Sequence, residues 1–262
     1  MNNPLTAAST ELGIEQRGPV LWLTITREER RNAMSHGVLA GLAQAITAAQ
    51  GRRDIRAIVI TGAGSKAFCA GADLQSAQAF TTDYSEPYGH LAQLLRVARA
   101  STLPLVARVN GACMAGGMGL LAMCDIAVAA SHAVFGLPEV KVGVFPAQVL
   151  SVLQHLIPRR RLAEMCLTGE PISSAQALAY ELVNYVDDDV DVRLQWLLER
   201  LLDKSPAALR RGLYTMKKIE AMAFEESMAF TESQIALFSL TDDAREGQQA
   251  FQQKRKPKWA SP

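Results

Sequence analysis

The chain has 262 residues, of which 49% are hydrophobic and 20% charged, which is enough for a large buried core. Its 27 basic and 26 acidic residues leave a net charge of +1, so no overall field attracts nucleic acid or a membrane surface. The four cysteines lack metal-site spacing, and the first residues lack a signal-peptide pattern. No apolar run reaches the ~20 residues of a membrane span. We therefore expect reduced thiols, a cytoplasmic location and no metal.

The first half of the chain alternates between two patterns. Runs of β-branched residues predict strands, and amphipathic stretches between them predict helices. The predicted strands are Val20 to Thr26, Ile55 to Thr61, Leu105 to Val109 and Ile126 to Ala129, and the predicted helices are Gly37 to Gln50 and Leu91 to Ala100. Polar stretches at Ser65 to Ala67 and Thr81 to Tyr88 predict loops. This order favours crossover βα units in an α/β fold.

After Pro146 the sequence changes to successive helical patterns. The predicted helices are Val149 to Leu156, Arg159 to Leu167, Ser174 to Tyr180, Val192 to Leu202, Pro206 to Ala221 and Phe224 to Leu237. A core rich in sheet is therefore followed by a helical region.

Two segments of small residues occur where strand-like runs end. They are Phe68-Cys69-Ala70-Gly71-Ala72-Asp73-Leu74 and Asn110-Gly111-Ala112-Cys113-Met114-Ala115-Gly116-Gly117-Met118-Gly119. Small side chains allow a substrate to approach the backbone closely. A pair of backbone N–H donors is the strongest preorganised partner for the oxygen of an enolised thioester. The two segments therefore predict the two halves of an oxyanion hole.

In their order and spacing, Ala70-Gly71-Ala72-Asp73-Leu74 and Gly116-Gly117 resemble the crotonase, or enoyl-CoA hydratase/isomerase, family. The likeness runs from about Val20 to Trp259. It implies an α/β spiral of ββα units in residues 1–200, with the acyl-CoA site, and a helical trimerisation region in residues 201–262. The assembly would be a homotrimer or a hexamer, and coenzyme A would enter only as part of the substrate. The oxyanion donors would be the N–H groups of Ala72 and Gly116.

The second segment has an alternative interpretation. Gly117-Met118-Gly119-Leu120-Leu121-Ala122 matches a dinucleotide-binding pattern, and Glu139 lies at a suitable distance downstream. Asn110 to Gly116 separate this motif from the preceding strand, which argues against a dinucleotide turn. A helix that begins near Gly116 would instead direct its positive end at an anion. Taken alone, the same glycines would also be explained by close helix packing.

Glu139 is the candidate acid/base. It follows Pro138 in an apolar neighbourhood, which would raise its pKa into a range that is useful for proton transfer. The resemblance assigns this glutamate to the proton at the α-carbon. Hydratases of the family use two glutamates, and Gly119 occupies the position of the first. The single acid favours isomerisation of a 3-enoyl-CoA to a 2-enoyl-CoA; hydration with a non-standard water site and non-catalytic acyl-CoA binding remain alternatives.

The remaining predicted site residues surround these groups. Further substrate or CoA contacts are expected at Arg31, Ala33, Lys66, Ala70, Asp73, Leu74, Gly117, Pro138 and Lys254. Arg31, Lys66 and Lys254 are candidate partners for the phosphates of coenzyme A. His90, at a helix start, and Gln148, in a segment that lacks the family's usual glycines, are possible auxiliary groups.

Overall fold

The strands of the protein form two sheets. The computed structural model describes residues 10–73 and 85–259. The strands are β1 Leu12–Arg17, β2 Val20–Ile25, β3 Ala57–Gly62, β4 Ala67–Cys69, β5 Leu105–Val109, β6 Ala112–Met114, β7 Ile126–Ala130, β8 Val134–Gly136, β9 Ile172–Ser173 and β10 Tyr185–Asp187. The larger sheet has the order β1-β2-β3-β5-β7-β10, and the smaller sheet has the order β4-β6-β8-β9.

The helices pack on both sides of the larger sheet and follow it in sequence. They are α1 His36–Gln50, α2 His90–Ala100, α3 Gly116–Ala122, α4 Leu150–Leu153, α5 Arg159–Thr168, α6 Ser174–Ala179, α7 Val190–Leu202, α8 Pro206–Ile219, α9 Phe224–Ser239 and α10 Asp242–Gln252. Short 3-10 helices cover Glu28–Arg30 and Pro138–Val142. In the part of the chain that the structure describes, no helix combines the length and hydropathy that a membrane crossing requires.

Three successive pairs of strands generate a spiral. In each pair a strand of the larger sheet is followed, after a short link, by a strand of the smaller sheet: β3 by β4, β5 by β6 and β7 by β8. The pairings β3 with β5, β5 with β7, β4 with β6 and β6 with β8 are all parallel, so each turn of the spiral repeats the same step. This is the ββα spiral that the resemblance implies, and the predicted α/β class is confirmed.

The buried strands of the larger sheet separate two apolar layers. Along β3, Ile58 and Ile60 face the layer that contains α1, α2 and α3, and Val59 faces the opposite layer. The opposite layer is closed by α7 through Leu194, Leu197 and Leu198. Alternate side chains of a strand point to opposite faces, so a strand buried on both sides must be apolar throughout.

Most of the long elements match their predictions, and the short strands do not. The loop predicted at Ser65 to Ala67 is wrong at Ala67, where β4 begins. Strands β4, β6 and β8 have only three residues each, too few to show a period of two. Helix α10 was also missed, because its sequence is mainly polar. Residues 81–84 of the second predicted loop lie outside the described residues.

The helices that follow the predicted division at residue 200 leave apolar side chains exposed. Phe224, Ile235 and Leu240 on or next to α9 and Phe251 on α10 are exposed. Exposed apolar surface of this kind is typical of an interface. The division itself and the role of this region in trimer formation stay predictions.

Two buried asparagines fix the start of β4. Asn32 is 0% exposed, and its Nδ2 donates to the carbonyl oxygens of Ala63 and Ala67 at 2.9 and 2.7 Å. Its Oδ1 accepts from the Arg27 N–H at 3.2 Å. Asn110 is 3% exposed, and its Nδ2 also donates to the Ala67 carbonyl oxygen, at 3.2 Å. The two amides therefore hold the strand that leads into the first small-residue segment.

Asn32→Ala is expected to lower the free energy of unfolding by roughly 3 kcal/mol, because the three hydrogen bonds of a fully buried side chain are lost at once. Urea denaturation at a fixed protein concentration measures this loss. Gln16→Ala is the control, since Gln16 makes its hydrogen bonds at the exposed surface; it should change stability by no more than about 0.5 kcal/mol. Equal losses in the two variants would contradict the structural role of Asn32.

Candidate active site

The two small-residue segments meet where β4 ends and α3 begins. A side-chain carbon placed on Gly116 would lie 3.9 Å from the Ala72 nitrogen, and one placed on Gly71 would lie 3.3 Å from the Gly116 nitrogen. Hydrogen bonds from Met34 N–H to the Gly71 oxygen at 2.8 Å and from Asp73 N–H to the Met34 oxygen at 3.2 Å hold the first segment. Within the described residues, no acceptor takes the N–H of Ala72 or Gly116. Both donors are therefore available to a ligand.

Ala115, directly before the donor Gly116, has a strained backbone. Its φ and ψ of 51° and −125° are unfavourable for a residue with a side chain. Its N–H donates to the Gly136 oxygen at 2.8 Å, and its oxygen accepts from the Met118 N–H at 2.9 Å. These bonds to β8 and α3 hold Ala115 in this conformation, which sets the direction of the chain at the following residue, Gly116.

The first turn of α3 packs directly on β4. Gly117 is buried, and a side-chain carbon there would lie 2.4 Å from the Cys69 oxygen. This placement gives Gly117 a packing role, and its predicted ligand contact stays a prediction. One turn on, a carbon placed on Gly119 would lie 2.8 Å from Val149 Cγ1. Val149 therefore occupies the space that a carboxylate side chain at position 119 would need.

Glu139 lies in the 3-10 helix that follows β8. Its Oε2 is buried and has no hydrogen-bond partner among the described residues. Burial raises the pKa of this carboxyl, and a backbone hydrogen bond within Glu139 acts more weakly in the opposite direction. The thiol of Cys166 on α5 is close enough for the charge of Glu139 to add to the effect of burial in raising the Cys166 pKa. Glu139 thus has the desolvated carboxyl that a proton transfer group requires.

Arg27 connects the loop after β2 to the oxyanion segment. Its guanidinium pairs with Asp73 Oδ2 at 2.7 Å and with Glu11 Oε1 at 2.9 Å, and it donates to the Ala33 oxygen at 2.7 Å. The side chains of Arg27 and Asp73 are only 11% and 12% exposed. Asp73, predicted as a ligand contact, is therefore engaged by Arg27 and holds the segment in place. Nothing in the sequence distinguished Arg27 from an ordinary surface arginine.

The remaining predicted contacts are divided between the edge of this site and places away from it. Arg31 and Lys66 are both exposed. The Arg31 oxygen accepts from the Ala70 N–H at 3.1 Å, which holds Arg31 next to the first segment, and the Lys66 oxygen accepts from the Ala112 N–H at 3.1 Å in the second segment. Ala33 is buried, while Ala70 and Pro138 are half-buried. Leu74 lies outside the described residues. Lys254 is exposed beyond α10, where no described contact joins it to the site.

In the described part of the chain, no hydrogen bond or ion pair joins either auxiliary candidate to Glu139. His90 begins α2, and its ring lies 4.5 Å, centroid to centroid, from that of His36 at the start of α1. Gln148 is exposed to a cavity near the end of α3. Their predicted roles stay predictions.

Similar proteins identify the family to which the chain belongs. A family model described as Enoyl-CoA hydratase/isomerase matches residues 15–262. The 2,3-dehydroadipyl-CoA hydratase of Escherichia coli (strain K12) is 32% identical over 95% of this chain and 98% of its own length. The enoyl-CoA hydratase EchA19 of Mycobacterium tuberculosis is 34% identical over 93% of this chain and 94% of its own length. With its ββα spiral and these relatives, the protein is an acyl-CoA enzyme by fold and by sequence.

Solved structures give the same result. A crystal structure of enoyl-CoA hydratase from Mycobacterium smegmatis superposes with a TM-score of 0.90 at 30% identity, covering 95% of this chain and 98% of that one. The crystal structure of human enoyl-CoA hydratase domain-containing protein 3 superposes with a TM-score of 0.89 at 27% identity, covering 95% of this chain and 100% of that one. The chain belongs to the enoyl-CoA hydratase/isomerase, or crotonase, family and acts on acyl-CoA thioesters.

Ala115→Gly is expected to stabilise the protein by about 1 kcal/mol, because relief of an unfavourable backbone conformation exceeds the entropy that glycine adds to the unfolded chain. Urea denaturation measures the change. Ala163→Gly on the exposed face of α5 is the matched control and should destabilise by about 0.5–1 kcal/mol. Opposite signs for the two changes are required; a loss of stability in both would refute strain at Ala115.

Proposed function

We propose that the protein isomerises a 3-enoyl-CoA to a 2-enoyl-CoA, with Glu139 as the single acid/base. Ionised Glu139 removes a proton from the α-carbon, and the electron pair of that C–H bond passes into the dienolate. The thioester oxygen, now negative, accepts hydrogen bonds from the N–H groups of Ala72 and Gly116. Glu139 then returns the proton to the γ-carbon, so atoms and charge balance. The reaction needs no cofactor beyond the coenzyme A of the substrate.

This proposal rests on the absence of a carboxylate, and of room for one, at position 119. Hydration needs water to be held and activated, for which two carboxylates are suited, whereas one carboxyl can move a proton between two carbons. Position 119 has no side chain, and Val149 Cγ1 is 2.8 Å from where one would begin. Glu139, with its unpaired buried oxygen, is the carboxyl available for the chemistry.

Hydration is the second candidate, and the names of the relatives favour it. Several proteins about one third identical to this chain are named hydratases, including the mevalonyl-coenzyme A hydratase sidH of Aspergillus fumigatus at 34%. A hydratase built on this site would hold water through Glu139 and a second group such as Gln148. Arg31 and Lys66 would contact the coenzyme A phosphates in either reaction.

One experiment separates the candidates. The protein is incubated in D₂O with crotonyl-CoA and, separately, with 3-hexenoyl-CoA, and NMR follows hydration, double-bond migration and deuteration together. We expect the 3-enoyl thioester to become the 2-enoyl thioester without hydration. Formation of 3-hydroxybutyryl-CoA from crotonyl-CoA would overturn isomerisation in favour of hydration. Tight binding of both thioesters without any reaction would favour a non-catalytic acyl-CoA-binding protein.

Glu139→Gln is expected to lower kcat for isomerisation by about 10² to 10⁴-fold, because the amide cannot accept the proton. Acyl-CoA binding, measured by calorimetry with butyryl-CoA, should change little.

A raised carboxyl pKa means that the folded protein holds the Glu139 proton more tightly than the unfolded chain, so ionisation at neutral pH costs stability. The melting temperature of the variant should therefore equal or exceed that of the wild type. A variant that keeps full activity would remove Glu139 from the mechanism.

The pH dependence of kcat/KM should show an acidic limb above the ordinary pKa range of a glutamate. Glu139 acts as a base in its ionised form, and burial raises its pKa. Activity should therefore fall as pH decreases through that raised value and stay level above it. Steady-state rates in overlapping buffers measure the limb. A flat profile down to the ordinary glutamate range would contradict a desolvated base.

A further inference from the structure

A cavity lies beyond the far end of α3. It has a volume of about 690 Å³, is partly open to the solvent, and is lined by α2, the end of α3, the segment from Ala147 to Val152 with Leu156, and α8. Its walls include apolar side chains from all four of these elements, among them Leu95, Met123, Val152 and Met216. A space of this size and lining can hold part of a small organic ligand.

Two chain segments connect the cavity with the candidate site. Helix α3 begins at the donor Gly116 and continues to Ala122 and Met123, which line the cavity. At 1.5 Å per residue this is a distance of about 10 Å along the helix, on the scale of a medium-length acyl chain. The segment after Glu139 reaches the cavity at Ala147 and Gln148. An acyl chain that starts at the oxyanion donors and extends by this distance in the direction of α3 would reach the cavity.

The charged groups of the cavity are mostly paired. Lys217 Nζ lies 2.9 Å from Asp125 Oδ1, and Arg99 Nη1 lies 2.6 Å from Glu220 Oε2. Among the described residues that line the cavity, these two pairs use both carboxylates and two of the three cations.

Arg96 is the third cation and has no carboxylate partner among the described residues. Its guanidinium stacks on the ring of Tyr88, with 3.9 Å from Cζ to the centroid, and Nη1 donates to the Ala92 oxygen at 3.1 Å. Stacking on an aromatic ring orients the guanidinium plane but leaves most of its N–H donors free. A positive group with free donors at the edge of an apolar cavity fits a carboxylate, which arginine can bind through two parallel hydrogen bonds.

We propose that the acyl chain of the substrate ends in a carboxylate and that Arg96 is the specificity-determining residue that binds it. The inference rests on the proposed function for the position of the thioester at Ala72 and Gly116. The substrate class is therefore the coenzyme A monothioester of a dicarboxylic acid. Neutral acyl chains of the same length would leave the guanidinium without its partner.

The test compares two substrates that differ only at the end of the chain, 3-hexenoyl-CoA and 3-hexenedioyl-CoA, together with their 2-enoyl forms. The wild type should prefer the carboxylate-ended thioester by at least tenfold in kcat/KM, and high salt should weaken that preference. Arg96→Met, which keeps an apolar stem, should remove the preference without changing turnover of 3-hexenoyl-CoA. Arg96→Lys should retain part of it. Equal use of both substrates by the wild type would overturn the proposal.

Arg99→Met is the matched control, because Arg99 also lies on α2 and lines the cavity but is paired with Glu220. It should leave the preference intact. Equal losses in the Arg96 and Arg99 variants would indicate a general effect of positive charge and would refute a specific role for Arg96.

Binding of saturated thioesters separates this proposal from the proposed reaction. Calorimetry with adipyl-CoA and hexanoyl-CoA needs no turnover. If neither unsaturated substrate reacts but adipyl-CoA binds at least tenfold more tightly, and only when Arg96 is present, the reaction is wrong and the carboxylate site stands. If both saturated thioesters bind equally well to the wild type, the carboxylate site is wrong whatever the reaction.

Discussion

The site depends on a close approach between two stretches of backbone, the end of β4 and the start of α3. The distances around Gly71, Gly116 and Gly117 leave no room for larger side chains, and Gly117 lies against the Cys69 oxygen itself. This approach brings the main-chain N–H groups of Ala72 and Gly116 close to each other. The ββα spiral provides it, because β4 and β6 are adjacent parallel strands and each leads directly into one of the segments.

Polar contacts then hold β4 and the first small-residue segment in the position that the spiral gives them. Asn32 and Asn110 both donate to the Ala67 oxygen at the start of β4, while Arg27 binds Asp73 at the other end of the same segment. Buried groups of this kind contribute little net free energy but are costly to leave unpaired, so they select one arrangement over its neighbours. Strain at Ala115 is tolerated because β8 and α3 hold the residue on both sides.

The sequence contained the main features of the fold and site, since these depend on local composition. The apolar runs of β3, β5 and β7 and the glycines around residue 116 are visible without a structure, and so is the apolar setting of Glu139. The three-residue strands were missed because they are shorter than any recognisable period. Arg27 and Arg96 were missed for another reason: their roles come from partners far away in the chain or from a cavity, and an arginine in a loop or on a helix is usually solvated.

The use of main-chain donors also determines how such a protein diverges. A substitution replaces a side chain and leaves the N–H groups of Ala72 and Gly116 in place, so the enolate binding proposed for them would survive changes to most other residues of the pocket. Position 119 with its neighbour Val149, and Arg96 at the cavity, are separate from those donors. The reaction and the choice of acyl group can therefore change one at a time during evolution, while the enolate-binding centre is inherited unchanged.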